Sequence, residues 1–151
     1  MRVYHSSRQI VEFPAVKIKN YTKDFSWGFY CTDDLHAVRI WTKERREKPI
    51  INVYEYKEDS NLNVLCFEKM TDEWLNFIMK CRRGFVHHYD IVIGPMLDDH
   101  IKRDVEDYFN GNLSRQAFWE KVQHKKPIDQ VSFHTIRALT HLKYIGSERL
   151  C

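Results

Sequence analysis

The segment that decides the fold class is Tyr89-Asp90-Ile91-Val92-Ile93-Gly94-Pro95. Its apolar centre does not alternate with polar residues, which is typical of a strand buried on both faces, and the glycine and proline mark its end. Ile50–Tyr56 predicts a second strand by its alternation, whereas Leu35, Val38 and Trp41 recur at helical spacing. Strands and helices do not alternate strictly along the chain, so we predict an α+β fold.

Other segments extend this pattern in both directions. Short β-prone runs predict further strands at Arg2–His5, Gly28–Thr32, Asn63–Phe67 and Gln130–Phe133. Capping residues before apolar periodicity predict helices that begin near Leu35, Thr71, Asp98, Ser114 and Thr135, the last one running to Leu142. The Glu58–Asn61 turn predicts a hairpin between Ile50–Tyr56 and Asn63–Phe67. Residues 10–18 alternate loosely and predict an extended segment, although Pro14 disfavours sheet pairing there.

The composition is that of one cytoplasmic domain. With 151 residues, of which 43% are hydrophobic and 30% charged, the chain suits a single core, so we predict one domain over residues 1–151. The four cysteines are scattered without a CxxC pair, which indicates reduced thiols. The N-terminus lacks an apolar leader, and the longest apolar run, Ile91–Ile93, is far shorter than a membrane helix. We therefore expect a cytoplasmic protein with no membrane partner.

Charge and motif content exclude several function classes. The chain has 24 lysine and arginine residues against 21 aspartate and glutamate residues, a net charge of +3, whereas a DNA-binding protein usually carries a larger and clustered excess. The sequence has no phosphate-binding loop, dinucleotide glycine motif, zinc-protease motif or serine nucleophile motif. His87-His88 with Asp90 is a poor ligand set, because neighbouring strand residues diverge, and we expect no metal site.

Three short segments carry residues that a hydrophobic core would not select: Tyr4-His5-Ser6-Ser7, Asp24–Thr32 and Asp129–Phe133. In their order they resemble the motifs of the ADP-ribosyltransferase superfamily, in the branch of diphtheria toxin and the poly(ADP-ribose) polymerases. That branch has an aromatic-His-Gly-Ser/Thr strand end and a Gly-x-Gly-aromatic-Tyr-aromatic motif. A second aromatic residue and a glutamate that opens a late strand complete the set. The whole chain also resembles an uncharacterised bacterial family of that superfamily, about one domain long.

The resemblance implies a fold and a set of site residues. The fold would be a single domain with a split, mostly antiparallel sheet around a central NAD-binding cleft. The catalytic residues would be His5, Tyr30 and Gln130. The NAD-binding residues would be His5, Ser6, Ser7, Gly28, Tyr30, Trp41 and Gln130. In this arrangement His5 binds the adenosine ribose, Tyr30 and Trp41 sandwich the nicotinamide ring, and Gln130 binds the nicotinamide ribose.

The activity implied is that of an NAD-dependent mono-ADP-ribosyltransferase, with NAD as substrate and no metal. Its acceptor would be a protein, a nucleic acid or a small molecule. Members of such small families resemble toxins or defence effectors, often paired with a small neutralising antitoxin protein. Two positions depart from the motifs, since Ser6 replaces a glycine and Gln130 replaces the glutamate. An amide can bind a ribose hydroxyl, but it carries no charge and cannot act as a general base.

Two other functions stay open on the residues alone. The glutamine at position 130 favours a catalytically inactive module that binds NAD, ADP-ribose or another nucleotide in the same cleft. Exposed aromatic and basic residues would also suit an RNA-binding domain, whose affinity would depend strongly on salt. Taken singly, Tyr30 and Trp41 would be interpreted as core residues and His5 as a satisfied or exposed histidine, so the interpretation rests on their joint order and spacing.

Overall fold

Two β-sheets contain the seven strands that the described part of the chain forms. The computed structural model describes residues 1–18, 23–44, 47, 49–97 and 99–150, with the backbone alone for Asp99 and His100. The strands are β1 (Arg2–Ser7), β2 (Phe29–Cys31), β3 (Ile50–Tyr56), β4 (Val64–Cys66), β5 (Ile91–Pro95), β6 (Asp129–Phe133) and β7 (Leu142–Arg149). The helices are α1 (Leu35–Glu44), α2 (Asp72–Arg82), α3 (Asp99–Phe109), α4 (Arg115–Val122) and α5 (Ile136–Leu139). The predicted α+β class with mostly antiparallel sheets is confirmed. The start predicted for α3, Asp98, lies outside the described residues.

The first sheet has the strand order β1-β3-β7 with antiparallel pairs throughout. β3 has the predicted bounds, and Ile51 and Tyr54 are fully buried. The final helix was predicted to reach Leu142, which is wrong, because α5 ends at Leu139 and β7 follows. Half-buried and exposed residues alternate along β7, and its pairing with β3 stabilises an extended backbone that a longer helix would exclude.

The second sheet has the strand order β2-β6-β5-β4. β5 lies between β6 and β4 with Ile91 and Val92 fully buried, which confirms the predicted central strand. The predicted hairpin is wrong, since β4 pairs in parallel with β5 instead of with β3. The reason is that β3 already pairs with β1 along one edge and with β7 along the other.

The segment that follows β1 is held by side chains of β3. Residues 8–18 form no strand, so the segment predicted to be extended at residues 10–18 pairs with neither sheet. The Val11 N–H donates to the Asn52 side chain at 3.0 Å, and the Tyr54 hydroxyl donates to the Val11 carbonyl at 2.5 Å. Side-chain bonds thus replace a backbone ladder that Pro14 could not join as a donor.

One bridge joins the two sheets within the described residues. The Tyr4 N–H donates to the Thr32 carbonyl at 2.8 Å, and the Thr32 N–H donates to the Tyr4 carbonyl at 3.0 Å. Within the described residues, β1 and β2 share no other backbone pairing. Both sheets contribute to one buried cluster, formed by Val3, Phe29, Cys31, Tyr54, Tyr56, Leu62, Ile91, Val131, Phe133 and Ala138.

The chain divides into two compact units. The first comprises Met1–Pro95 and the residues from Asp129 onward, and it contains both sheets and all the candidate site residues. The second, Met96–Ile128, contains α3 and α4, whose contact includes the rings of Tyr108 and Phe118 at 5.2 Å. Among the described helices, none combines the length and apolar character needed to cross a membrane.

Candidate functional site

The strand order gathers three candidate residues that are far apart in the sequence. His5 lies on β1, Tyr30 on β2 and Gln130 at the start of β6. β2 is joined to β1 by the Tyr4–Thr32 bridge and to β6 by regular antiparallel pairing. The three residues therefore lie on neighbouring strands at the junction of the two sheets.

His5 forms a side-chain bond at the place where the backbone pairing between β1 and β2 ends. Its Nδ1 lies 2.6 Å from the Tyr30 carbonyl oxygen. Because a carbonyl accepts only, Nδ1 carries the proton and donates. The His5 ring also packs against the Phe29 ring at a centroid distance of 4.2 Å. Since side chains alternate along a strand, His5 shares the face of Phe29, and the Tyr30 ring lies on the other face of β2.

Ser6 and Ser7 connect β1 to its neighbours. The Thr42 hydroxyl of α1 donates to Ser6 Oγ at 3.0 Å, and Ser7 Oγ accepts the Gln9 N–H at 3.3 Å. The serine that replaces the glycine of the motif thus contacts α1. These bonds fix both the helix and the turn that follow the His5 strand.

The Tyr30 side chain is anchored at its hydroxyl group. That group donates to the Ser26 carbonyl at 2.5 Å and accepts the Phe25 N–H at 3.0 Å. Burial raises the pKa of the Tyr30 hydroxyl far above its ordinary value, so it stays protonated. The Lys23 ammonium lies over the Tyr30 ring, 5.0 Å from its centroid. A fixed ring whose face attracts a cation is suited to stack on a positively charged flat ligand.

Gln130 is buried and bonded to a carboxylate that the sequence did not single out. Its Nε2 donates to Asp24 Oδ2 at 3.0 Å, and the two residues are 6% and 5% exposed. The last residue of α2, Arg82, donates from Nε and Nη2 to Asp24 Oδ1 at 3.0 and 2.5 Å. Arg82 supplies the counter-charge that a buried carboxylate requires. Asp24 opens the quoted aromatic segment, whereas nothing in the charged end of α2 distinguished Arg82.

The loop between Asp24 and Gly28 is held by two neutral histidines. His87 Nε2 lies 2.8 Å from the Phe25 carbonyl, and His134 Nδ1 lies 2.8 Å from the Trp27 carbonyl. The two rings meet edge to face at 4.3 Å. Burial lowers the pKa of both, that of His134 to about 4. No pattern in the sequence indicated that His87 and His134 would meet here.

Two backbone positions of this loop are sterically restricted. A Cβ at Gly28 would lie 2.8 Å from ring atoms of His134 and 3.0 Å from the Phe133 carbonyl. The backbone at Gly28 therefore lies close against the His134 ring. Ser26 adopts a left-handed φ of 76°, and its buried Oγ has no hydrogen-bond partner. A non-glycine residue in this region is strained.

Trp41 and Tyr30 do not meet in this structure. Trp41 lies half-buried on α1, whose buried residues are Ala37, Val38 and Thr42. No ring contact joins Trp41 to another aromatic residue of the described chain. The stacking of nicotinamide between Tyr30 and Trp41 thus stays a prediction.

The neighbouring carboxylate, Asp129, lies on the other side of β6 from Gln130, as strand alternation requires. It is exposed, and the Thr32 hydroxyl donates to its carbonyl at 2.8 Å. Partial burial, and to a lesser degree the charge of Asp33, raises the pKa of the Asp129 carboxyl. Among the described side chains, no group of three His, Cys, Asp or Glu residues is arranged to hold a metal ion.

Comparison with known proteins places the chain in a family. No curated protein and no solved structure matches it. Residues 1–144 match the family described as "Protein of unknown function (DUF3990)", and this match includes β1 to β6 and every candidate site residue. The chain therefore belongs to the DUF3990 family.

Proposed function

We propose that this protein is an NAD-dependent mono-ADP-ribosyltransferase. The observation that carries the proposal is that His5, Tyr30 and Gln130 lie on three neighbouring strands at the junction of the two sheets. The same three residues, in the same order, carry the resemblance to the ADP-ribosyltransferase superfamily. The proposal includes an NAD-binding cleft like the one that the superfamily has.

The roles that we propose follow from the atoms each residue offers. His5 donates from Nδ1 to the Tyr30 carbonyl, and in the proposed complex its other ring nitrogen, Nε2, contacts a hydroxyl of the adenosine ribose. The anchored Tyr30 ring stacks on nicotinamide, and the Lys23 ammonium over it marks a face that already attracts a cation. Gln130 accepts a hydrogen bond from the 2′-hydroxyl of the nicotinamide ribose.

The proposed reaction breaks one bond of NAD and forms one new bond. The bond between the nicotinamide nitrogen and ribose C1′ breaks, and neutral nicotinamide leaves with the electron pair. The ribose passes through an oxocarbenium-like transition state, as in glycoside chemistry. A nucleophile of the acceptor bonds to C1′ and releases its proton. With an amide at position 130, most of the rate comes from holding NAD and the acceptor in reactive geometry.

The test is release of nicotinamide from NAD labelled in the nicotinamide ring, together with transfer of label from NAD labelled in the adenine. We expect both for the wild type and a loss of at least about 100-fold for His5→Ala and Tyr30→Ala, as for groups that orient a substrate. His88→Ala, which changes an exposed histidine, is the matched control. An inactive wild type in the presence of broad acceptor mixtures, with no NAD binding at millimolar concentration, would refute the proposal.

The second candidate function is a binding module for NAD or ADP-ribose without turnover. The specific observation that favours it is the amide at position 130 together with the pairing of the Asp24 charge with Arg82. Calorimetric binding of NAD with no nicotinamide release would support this candidate. We also propose, from the resemblance alone, that an active enzyme acts as a bacterial toxin or defence effector with a small neutralising partner. Growth arrest on expression, relieved by His5→Ala, tests that role.

A further inference from the structure

The buried Asp24 carboxylate lies within hydrogen-bond distance of the residue that replaces the glutamate of the motif. Asp24 Oδ2 accepts from Gln130 Nε2 at 3.0 Å across 106 positions of sequence. Its other oxygen, Oδ1, accepts both bonds from Arg82. Because an ionised carboxylate accepts only, the nitrogen end of the Gln130 amide must face Asp24.

The other end of the same amide is available to a ligand. Oε1 of Gln130 receives no hydrogen bond from the described residues. Ser26 Oγ is the one described side-chain atom that is both sealed from solvent and without a partner, so Oε1 is not sealed. We propose that Asp24 is a positioning residue, which fixes the Gln130 amide so that Oε1 alone faces the ligand and accepts the ribose hydroxyl. This inference rests on the function proposed above.

The same geometry gives a physical reason for glutamine at position 130. A glutamate there would bring a second carboxylate to about hydrogen-bond distance from Asp24, where two like charges repel each other. Asp24 therefore requires a donor on β6, and an amide supplies a donor to Asp24 and an acceptor to the ligand. In this interpretation the glutamine at position 130 has a function of its own as the hydrogen-bond partner of Asp24. It is not merely an inactive replacement for the glutamate of the motif.

Exchanging the two groups tests the inference. Asp24→Asn with Gln130→Glu keeps the size and the net charge of the pair but reverses donor and acceptor. Gln130→Glu alone places two carboxylates together. Gln116→Glu is the matched control, because the Gln116 amide donates to Glu120 at 3.1 Å in the same way on an exposed helix surface. For each variant, the NAD dissociation constant and nicotinamide release are measured at pH 8 and pH 5, with near-ultraviolet circular dichroism to confirm folding.

We expect Gln130→Glu to bind NAD about 10- to 100-fold more weakly at pH 8, the usual effect of losing one hydrogen bond to a charged group. At pH 5 much of this loss should disappear, because the carboxyl group introduced at position 130, once protonated, can donate to Asp24 as the amide does. The exchange variant should recover most of the affinity at both pH values, and Gln116→Glu should match the wild type. A structural role alone would not produce this dependence of NAD affinity on pH.

Three outcomes would overturn the inference. The first is a folded Gln130→Glu that binds and turns over NAD like the wild type at pH 8. The second is a folded exchange variant that binds NAD no better than a folded Gln130→Glu or, if Gln130→Glu does not fold, much more weakly than the wild type. The third is a wild type that neither binds NAD nor releases nicotinamide. This last result refutes the proposed function itself, whereas the first two leave it standing and remove only the role of Asp24.

Discussion

Acidification should destabilise the fold through His134. The His134 ring is mostly buried, donates from Nδ1 to the Trp27 carbonyl and has Nε2 2.7 Å from the Ser132 hydroxyl oxygen. The titratable rings around it are His87 at 4.3 Å and Tyr30 at 6.1 Å. Burial, and to a smaller extent His87, lowers the pKa of His134 from 6.5 to about 4.

The sign and size of the effect follow from this shift. The unfolded chain binds the His134 proton below about pH 6.5, whereas the folded chain does not bind it until about pH 4, so protons favour unfolding in this window. A tenfold change in proton affinity is worth about 1.4 kcal/mol, which gives a full contribution of about 3 kcal/mol. The contribution is complete above pH 6.5, and about 2 kcal/mol of it should be lost by pH 5. His87, whose pKa is also lowered, adds in the same direction.

Urea unfolding at several pH values between 7.5 and 5 measures this loss. The lower limit avoids the carboxylates Asp59 and Asp90, whose lowered pKa values matter only in stronger acid. His134→Asn keeps an amide donor near the Trp27 carbonyl and removes the titration, so its stability should vary less with pH. His88→Asn, at an exposed position, should keep the wild-type slope. An unfolding free energy that is equal at pH 7.5 and pH 5, or an equally steep fall in His134→Asn, would refute the reasoning.

Three further substitutions test the loop and its support. Arg82→Met removes the guanidinium that pairs with the buried Asp24 carboxylate and should lower the unfolding free energy by about 2–3 kcal/mol, less than for a fully buried pair because Arg82 is one-third exposed. Gly28→Ala places a Cβ against His134 and should cost about 1–3 kcal/mol in thermal or urea unfolding. Ser26→Gly removes an unpartnered hydroxyl and a strained left-handed side chain, and it should raise the unfolding free energy by about 1 kcal/mol.

Two of these substitutions have a matched control in the same chain. Arg39→Met breaks the exposed pair with Glu148 and should cost less than about 1 kcal/mol. Gly146→Ala adds a Cβ with no atom within 4 Å and should be tolerated better than Gly28→Ala. Equal losses in the two arginine variants, or in the two glycine variants, would contradict the arguments from burial and from close packing. A loss of stability in Ser26→Gly would show that the strain at this position is offset elsewhere.

Local sequence patterns were sufficient to predict the helices and strands whose conformation depends mainly on residues near one another in the sequence. The alternation in Ile50–Tyr56 and the apolar run before Gly94 predicted β3 and the central strand β5. Thr71 and Ser114 cap α2 and α4 as expected, since an N-cap depends on residues three positions apart. β7 was missed because the helix-forming signal beginning at Thr135 was extended over a strand that is stabilised by its pairing with β3.

The candidate site could be predicted only in part from patterns in the sequence. Motif order placed His5, Tyr30 and Gln130 in one region, because the strands that carry them are neighbours. The bond between Gln130 and Asp24 was not predicted, since it joins residues 106 positions apart through side chains of two different segments. The role of Arg82 was not predicted either, because it depends on the contact between the end of α2 and Asp24.

The position of β7 has a practical consequence for fragments of this chain. The family match ends at residue 144, whereas β7 continues to Arg149 and covers the full length of β3. A fragment cut at residue 144 would leave most of β3 as a bare sheet edge, and the buried Ile50 and Ile51 lie at its uncovered end. An unpaired strand edge with apolar residues can pair with the strands of other chains. We therefore expect such a fragment to aggregate. The C-terminal residues of β7, which include the charged Glu148 and Arg149, therefore cover an edge of β3 that would otherwise be open to pairing with other chains.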